Sequence, residues 1–397
     1  MIVSPKVKSF LCLTAHPEGC AKNVQNQIEY IKSKGKVESN LKTALIIGSS
    51  TGYGLATRIA AAFGCNASTV GVFFERNGDE AKGKTASAGW YNTAEFTKQA
   101  KAKGLYTVNI NGDAFSDEIK AQAIEAIKNS PSKKVDLIVY SLASPRRTDP
   151  KTGQIYKSVL KTVGSDFTAM SLDTDKALVK EVSVPIANEA EIEETVKVMG
   201  GDDWKLWIEA LDSADVIANE CVSVAYSYVG PKMTYPIYRE GTIGIAKKDL
   251  EKKAKEVDAI LKIKRGKAFV SVNKALVTQA SSAIPVVPLY ISILYKVMKE
   301  KNIHEDCIMQ IERLFSKSLY NNNFLDFDID GLLRIDDWEM RKDVQEEVLA
   351  IWEKVSTENL FELTDFADYK KSFMQLFGFE IEGVEYGNES NVEIDLG

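Results

Sequence analysis

The residues able to do acid–base chemistry crowd into one stretch, residues 221–247, which reads CVSVAYSYVGPKMTYPIYREGTIGIAK. An apolar run at 221–225 reads as a buried strand. Tyr226, Tyr228, Tyr235 and Tyr238 follow, then Gly241, Gly244 and a basic pair, Lys247 and Lys248, that opens an amphipathic helix. A phenol ordinarily titrates near about 10, and a neighbouring ammonium favours its ionised form. Tyr226 and Tyr228 are two residues apart, so a continuous strand would send both to one face. Tyr238 and Lys247 are nine apart, about two and a half helical turns, and cannot share one straight helical face. An irregular turn through Gly241-Thr242-Ile243-Gly244 would aim both at one point, and glycine allows that backbone. Tyrosines buried in a core and satisfied by local hydrogen bonds would give the same pattern. The surrounding elements have to decide between the two readings.

Residues 43–63, TALIIGSSTGYGLATRIAAAF, run from an apolar strand into Gly48, Gly52 and Gly54 and then into a helical pattern led by Leu55, Ile59 and Ala62. Strand, glycine turn and helix in that order form a phosphate cradle. The glycines let the backbone approach closely, and the helix start offers unpaired N–H groups to a pyrophosphate. The spacing is G-x-x-x-G-x-G, not G-x-G-x-x-G, so the placement between strand and helix carries the argument. A second strand, 69–74, ends at Glu75, 21 residues beyond Gly54. An acid there accepts from adenosine ribose hydroxyls and repels a 2′-phosphate, which favours NADH, although Arg76 beside it suits NADPH.

A helix over 93–103 leads to a third strand at 105–110 and to Asp113-Ala114, where such a fold meets adenine. Ser116 is an expected N-cap. A fourth strand, 135–140, runs into Ser141-Leu142-Ala143-Ser144, residues mostly small enough for a cofactor to lie close. Residues 221–225 supply strand five and 268–272 strand six, with Leu276, Val277 and Thr278 beyond its end. Strands alternating with helices predict an α/β, doubly wound, parallel Rossmann-like sheet. Residues 145–200 interrupt that alternation as an insertion, residues 189–210 read as helix, and 300–397 read as a helical cover with helices over 305–319 and 341–355. The whole chain, 1–397, is expected to form one domain.

The net charge of −6 gives no electrostatic footprint for nucleic acid. Five scattered cysteines without a C-x-x-C pair support neither a disulfide framework nor a zinc ribbon, and point to a reducing cytoplasm. Residues 1–20 lack a signal-peptide apolar core. The apolar stretch 283–298 is broken by Pro285 and Pro288 and is short for a membrane span, so it reads as a buried helix or a pocket wall. With His16 and His304 the only histidines, no metal site and no Ser-His-Asp chemistry are expected. Residues 326–331, DFDIDG, imitate the start of a calcium loop. Arg334 and Asp337 occupy the ninth and twelfth positions, where a cation and a short carboxylate argue against it. A hairpin turning at Asp330-Gly331, flanked by Phe324-Leu325 and Leu332-Leu333, is the preferred reading.

GSSTGYG at 48–54, FE at 74–75, DA at 113–114 and YSYVGP followed by Y-x8-K within 226–247 together resemble the trans-2-enoyl-thioester reductases. That family comprises the V-type bacterial enoyl-acyl-carrier-protein reductases and the bacterial trans-2-enoyl-CoA reductases. The likeness runs over essentially the whole chain, including HPEGC at 16–20, GWYN at 89–92, VKVMGGDDW at 196–204 and RGKAFVSVNKALVT at 265–278. Ordinary short-chain dehydrogenases resemble the fold but carry Y-x3-K, and a nucleotide-sensing protein would need neither Tyr238 nor Lys247. The resemblance implies a monomeric NADH enzyme acting on enoyl-CoA or enoyl-acyl-carrier protein. It implies that Gly48, Ser49, Ser50, Thr51, Gly52, Tyr53, Phe74, Glu75, Asp113, Ala114, Leu142, Ala143, Lys247, Leu276, Val277 and Thr278 hold the cofactor. It also implies that Tyr228 contacts substrate and that Tyr238 is the proton donor; the physical account adds that the Lys247 ammonium, while binding the nicotinamide ribose, would ease ionisation of that phenol. From the position of 283–298 after the cofactor segment, Tyr290, Ile291 and Leu294 are expected to limit acyl-chain length and favour crotonyl-CoA.

Overall fold

Strands that are apolar on both faces need cover on both, and this chain supplies it. The computed structural model describes residues 1–8, 11–320 and 327–397. Its central sheet is built from β1 (Thr43–Ile47), β2 (Ser68–Phe73), β3 (Thr107–Asn111), β4 (Val135–Tyr140), β5 (Ile217–Ser227), β6 (Lys267–Val272) and β7 (Leu333–Arg334). All neighbours are parallel, in the order β3-β2-β1-β4-β5-β6-β7. The order reverses between β1 and β4, where doubly wound sheets open a crevice at their carboxyl ends.

Side-chain alternation divides the core. Leu45 and Ile47 of β1 pack with α4 (Asp117–Lys128), α6 (Asp202–Ser213) and α8 (Thr242–Lys262) on one face. Ala44 and Ile46 pack on the other with α1 (Pro17–Ser33), α2 (Gly52–Ile59), α3 (Ala88–Ala102) and α11 (Cys307–Arg313). A third cluster lies beyond the strand ends. It joins Tyr238, Leu276 and Val277 to α10 (Val287–Glu300), α12 (Lys342–Trp352) and the helix Phe366–Gln375. No described helix is long and apolar enough to cross a membrane.

Several elements differ from the sequence reading. Helix α3 starts at Ala88, not 93, and takes in Gly89. A Cβ at Gly89 would sit 2.0 Å from Glu75 Oε1, so close packing is what selects glycine there. The helix expected over 189–210 is two, α5 (Glu189–Met199) and α6, divided at Gly200-Gly201, whose Gly201 N–H donates to Asp249 Oδ2 at 2.9 Å. The helix at 305–319 starts at Cys307 and widens to π-winding over Leu314–Leu319. Strand β7 was not foreseen, because two residues show no period. It brings the C-terminal cover into the sheet itself.

Residues 145–200 hold two antiparallel hairpins, Arg146–Thr148 with Ile155–Lys157 and Phe167–Asp173 with Leu178–Val184. The second hairpin is tied to the C-terminal half, with Val286 N–H donating to Ser171 Oγ and Val179 N–H to Thr357 Oγ1. At 327–334 the chain makes the expected turn. Gly331 takes φ +79°, its N–H donates to Asp328 O, and Phe327 bridges Leu333 antiparallel. Arg334 pairs with Asp328 and Asp336, and no metal-ligand cluster occurs among the described residues. The Phe324-Leu325 flank lies outside the described residues.

Candidate active site

Two groups of side chains meet at the carboxyl ends of the strands. The first is the glycine loop. Gly48 ends β1 at φ +88°, and a Cβ there would lie 2.0 Å from Ser141 O and 3.3 Å from a Leu142 methyl, so the loop presses on the segment after β4. A Cβ at Gly54 would meet Gly48 O at 1.8 Å, which fixes helix α2 against the turn. Thr51 takes the N-cap position of α2 without a side-chain cap, so the first-turn N–H groups stay available to an anion. Gly52, at φ +53°, faces Thr278, whose methyl would be 3.8 Å from an added Cβ. The loop, Leu142 and Thr278 therefore lie side by side.

Glu75 lies beyond β2, and its Oε1 accepts from Ser50 Oγ at 2.7 Å. Its backbone is locked by reciprocal bonds with the Asn111 side chain. A carboxylate is thus held one side chain away from the glycine loop, a position from which it can accept from ribose hydroxyls. Ser49 Oγ donates to Val72 O, an internal tie of the loop. Phe74 is 77% exposed. The Asp113 carboxylate accepts from Phe115 N–H, and Ala114 O accepts from Trp207 Nε1 and Lys120 Nζ, so this turn is fixed from behind. Lys120 in turn forms a buried pair with Asp203 at 2.9 Å. Ala143 is exposed. Tyr53 turns inward, donating to Lys274 O. Leu276 and Val277 are buried, with Val277 N–H on Tyr295 Oη at 3.1 Å, and Thr278 caps the turn Gln279–Ser282.

The second group surrounds Tyr238, the last residue of the short helix α7 (Tyr235–Tyr238). Gly241 and Gly244 make the bend into α8 possible. A Cβ at Gly244 would lie 2.3 Å from the Arg239 carbonyl carbon, and one at Gly241 would lie 2.7 Å from Ile237 O. Tyr238 is buried, and its ring meets that of Tyr228 edge-to-face at 4.7 Å. The Tyr228 hydroxyl donates to Glu339 Oε1 at 3.0 Å. Tyr226 and Tyr228 do not share a face. Strand β5 stops at Ser227, so alternation ends there. Tyr226 shares a hydrogen bond with Thr57 and meets the Tyr53 ring, while Tyr228 turns to the C-terminal core.

Lys247 sits in the second turn of α8, half-buried, and burial pushes its ammonium down to about 8, with Glu251 opposing. Among the described residues it makes no hydrogen bond or ion pair. Nor does it move the Tyr238 phenol in the expected direction. Burial pushes that phenol up and the Glu339 carboxylate pushes it further, so the charge acting on Tyr238 is negative. Glu339 comes from a segment about a hundred residues later, which spacing around 238–247 cannot reveal.

Sequence reasoning also missed Glu339 itself and Lys274. Lys274 is buried, donates to Ala275 O, and is pushed down to about 8 by burial despite Glu339 and Glu305. The available signal was an acid between Trp338 and Met340, just beyond the residues that imitate a calcium loop. Tyr290, Ile291 and Leu294 are fully packed in the core with Tyr238, and Tyr290 donates to Glu339 Oε1 at 2.7 Å. They back the site instead of forming an open wall.

Known proteins share much of this sequence and its architecture. The profile of the trans-2-enoyl-CoA reductase catalytic region matches residues 84–320, and that of the NAD(P)H binding domain of trans-2-enoyl-CoA reductase matches 2–80. A protein of Opitutus terrae named an NADH-dependent enoyl-acyl-carrier-protein reductase is 55% identical over 100% of both chains. One of Clostridium perfringens named an NADH-dependent trans-2-enoyl-CoA reductase is 55% identical over 99% of each. Crystal structures of trans-2-enoyl-CoA reductase from Clostridium acetobutulicum with NADH and from Treponema denticola with NAD superpose with TM-scores of 0.95 and 0.93. Each is 50% identical, and they cover 99% and 98% of this chain and 98% of their own.

A third profile, described as an enoyl reductase FAD binding domain, matches residues 327–389. The residues there do not fit a flavin. The buried polar side chains Asp336, Glu339 and Thr364 are occupied by Arg334, by the two tyrosines with Ala275 N–H, and by Leu360 O. None of the buried side-chain polar atoms left without a partner lies in that segment. Glycines forced by close approach, Gly48 and Gly54, lie instead within the residues that match the NAD(P)H binding profile. Fold, profiles and near-complete relatives agree: the chain belongs to the trans-2-enoyl-CoA reductase family.

Proposed function

We propose that this chain reduces the C2=C3 double bond of trans-2-enoyl thioesters with NADH, yielding the saturated acyl thioester. The observation that carries the reading is the buried Tyr238 phenol, kept protonated beside Tyr228 in the core cluster that also contains the Leu276-Val277 segment. When bound, NADH supplies the hydride that goes to the β-carbon. Negative charge then develops on the thioester oxygen. Tyr238 donates its O–H toward that oxygen, in the manner of an oxyanion hole, and is the source of the proton that completes the reduction. Burial excludes water around it, which strengthens the interaction.

Lys247, mostly charged at neutral pH, is assigned to the nicotinamide ribose, and Glu75 with Ser50 to the adenosine ribose. Tyr228 borders the acyl thioester. A short enoyl-CoA such as crotonyl-CoA is the expected substrate. The enoyl-acyl-carrier-protein reading stands beside it, because relatives at the same identity bear both names. The chain acts as one monomeric reductase unit, with 145–200 as its insertion and 300–397 as its cover. Strand β7 and the ties from Ser171 and Thr357 support that unity. Its five cysteines are free, in keeping with a cytoplasmic enzyme.

The test is to follow NADH absorbance with purified protein and crotonyl-CoA, and in parallel with crotonyl-acyl-carrier protein. NADH oxidation requiring the thioester is expected. No oxidation with either carrier overturns the reading, and a strong preference for the protein carrier moves it to fatty-acid synthesis.

A further inference from the structure

Glu339 is wholly buried, yet groups from four separate elements converge on it. Its Oε1 accepts from Tyr228 Oη at 3.0 Å, at the end of β5, and from Tyr290 Oη at 2.7 Å, on α10. Its Oε2 accepts from Ala275 N–H at 2.7 Å, just beyond β6. Gln345 Nε2, on α12, donates both to Glu339 O at 2.7 Å and to Tyr290 Oη at 3.2 Å. Burying a carboxylate is unfavourable unless its lone pairs are met, and here they are met by groups from both halves of the site. Oε1 faces the substrate side, since the Tyr228 ring it anchors lies against Tyr238. Oε2 faces the cofactor side, since Ala275 directly precedes Leu276, Val277 and Thr278.

We propose that Glu339 is a positioning residue for the reduction: one carboxylate fixes Tyr228, and through it Tyr238, relative to the cofactor segment that begins at Ala275. This rests on the enoyl-thioester reading above. Only a carboxylate accepts at both oxygens. In the isosteric Glu339→Gln, one orientation sets an amide N–H against Ala275 N–H. The other orientation presents a donor where Tyr228 and Tyr290 need an acceptor. Volume is kept, and the first orientation loses one tie and the second two.

The test compares wild type, Glu339→Gln, Tyr228→Phe and the double variant. Steady-state kinetics with NADH and crotonyl-CoA are measured beside NADH binding by fluorescence, with circular dichroism confirming the fold. Glu339→Gln is expected to lower kcat about tenfold or more and to weaken NADH binding several-fold. Tyr228→Phe should lower kcat without weakening NADH. The double variant should turn over no more slowly than Glu339→Gln, because both changes break one linkage. A merely structural Glu339 would give additive losses in kcat, and that result overturns the proposal. So does a folded Glu339→Gln with wild-type kcat and NADH affinity. If Glu339→Gln does not fold, Gln345→Leu, which loosens Tyr290 and Glu339 from the other side, must show the same paired loss in kcat and NADH affinity or the proposal fails. A wild type inactive on every enoyl thioester overturns the function and this inference together, whereas an active wild type with an indifferent Glu339→Gln overturns this inference alone.

Discussion

Replacing Lys247 by methionine should make the protein more stable and nearly inactive, and the size of both effects follows from one number. Burial pushes the Lys247 ammonium down to about 8 from an ordinary value near about 10.4. At about 1.36 kcal/mol per pH unit, that difference places an upper bound of about 3 kcal/mol on the penalty for keeping the charge folded. Lys247 is only half-buried, so solvent screening lowers the working figure to about 1–2 kcal/mol. The sign is fixed by proton counts. Between about pH 8 and 10.4 the unfolded chain binds the proton and the folded chain does not, so wild-type stability rises with pH across that window. Below pH 8 both states are charged and the penalty is full.

Methionine keeps the apolar stem and removes the charge. Urea unfolding of the cofactor-free protein should show Lys247→Met more stable than wild type by about 1–2 kcal/mol at pH 7, with the gap closing toward pH 10. The same titration should appear in kinetics. If only the charged lysine binds NADH, kcat/KM for NADH in wild type falls about tenfold from pH 7 to pH 9, and Lys247→Arg abolishes that limb. A Met variant less stable than wild type at pH 7, or a wild-type kcat/KM flat across that range, would refute the reasoning.

The other expectations are narrower. Tyr238→Phe should lower kcat about a hundredfold or more while leaving the NADH dissociation constant within about twofold, since only an oxyanion donor is removed. Glu75→Ala frees Ser50 and removes the carboxylate behind Gly89, so the ratio of kcat/KM for NADH over NADPH should fall. A wild type that already uses both equally would contradict the assignment. Leu294→Ala should act mainly on stability, by about 2–5 kcal/mol in urea unfolding, because Leu294 is fully packed. A change in chain-length preference without loss of stability would return Leu294 to the pocket wall.

What could be read in the sequence is what folds locally. Gly48 to Gly54 lies between one strand and the helix it feeds, so glycine spacing and apolar runs on either side suffice. Glu75 ends the next strand at a fixed interval. What could not be read depends on partners far along the chain. The alternation that placed Tyr226 and Tyr228 together fails because β5 ends one residue too soon. Gly89 falls outside the helix read from 93, and the reason for glycine there is visible only when Glu75 is seen beside it. Glu339 looks like one more acid in an acidic run until Tyr228, Tyr290 and Ala275 are found to point at it.

The charge around Tyr238 suggests how the site divides its work. A lysine beside the phenol would ease its ionisation and suit a tyrosinate base. A carboxylate opposes ionisation and suits a phenol that must keep its proton until an acceptor arrives. Glu339 does the second, and the Tyr228 hydroxyl donates to it instead of competing for the Tyr238 proton. Lys247, with no partner among the described residues and its own charge made costly by burial, is left free for an anionic or hydroxylic ligand. The nine-residue interval from Tyr238 to Lys247 then has a physical meaning. The bend at Gly241 and Gly244 places the two on separate helices, which is what the proposed division of work, phenol to thioester oxygen and ammonium to cofactor, requires. A shorter interval on one helical face would set the ammonium against the phenol and lower the barrier to losing the very proton that reduction consumes.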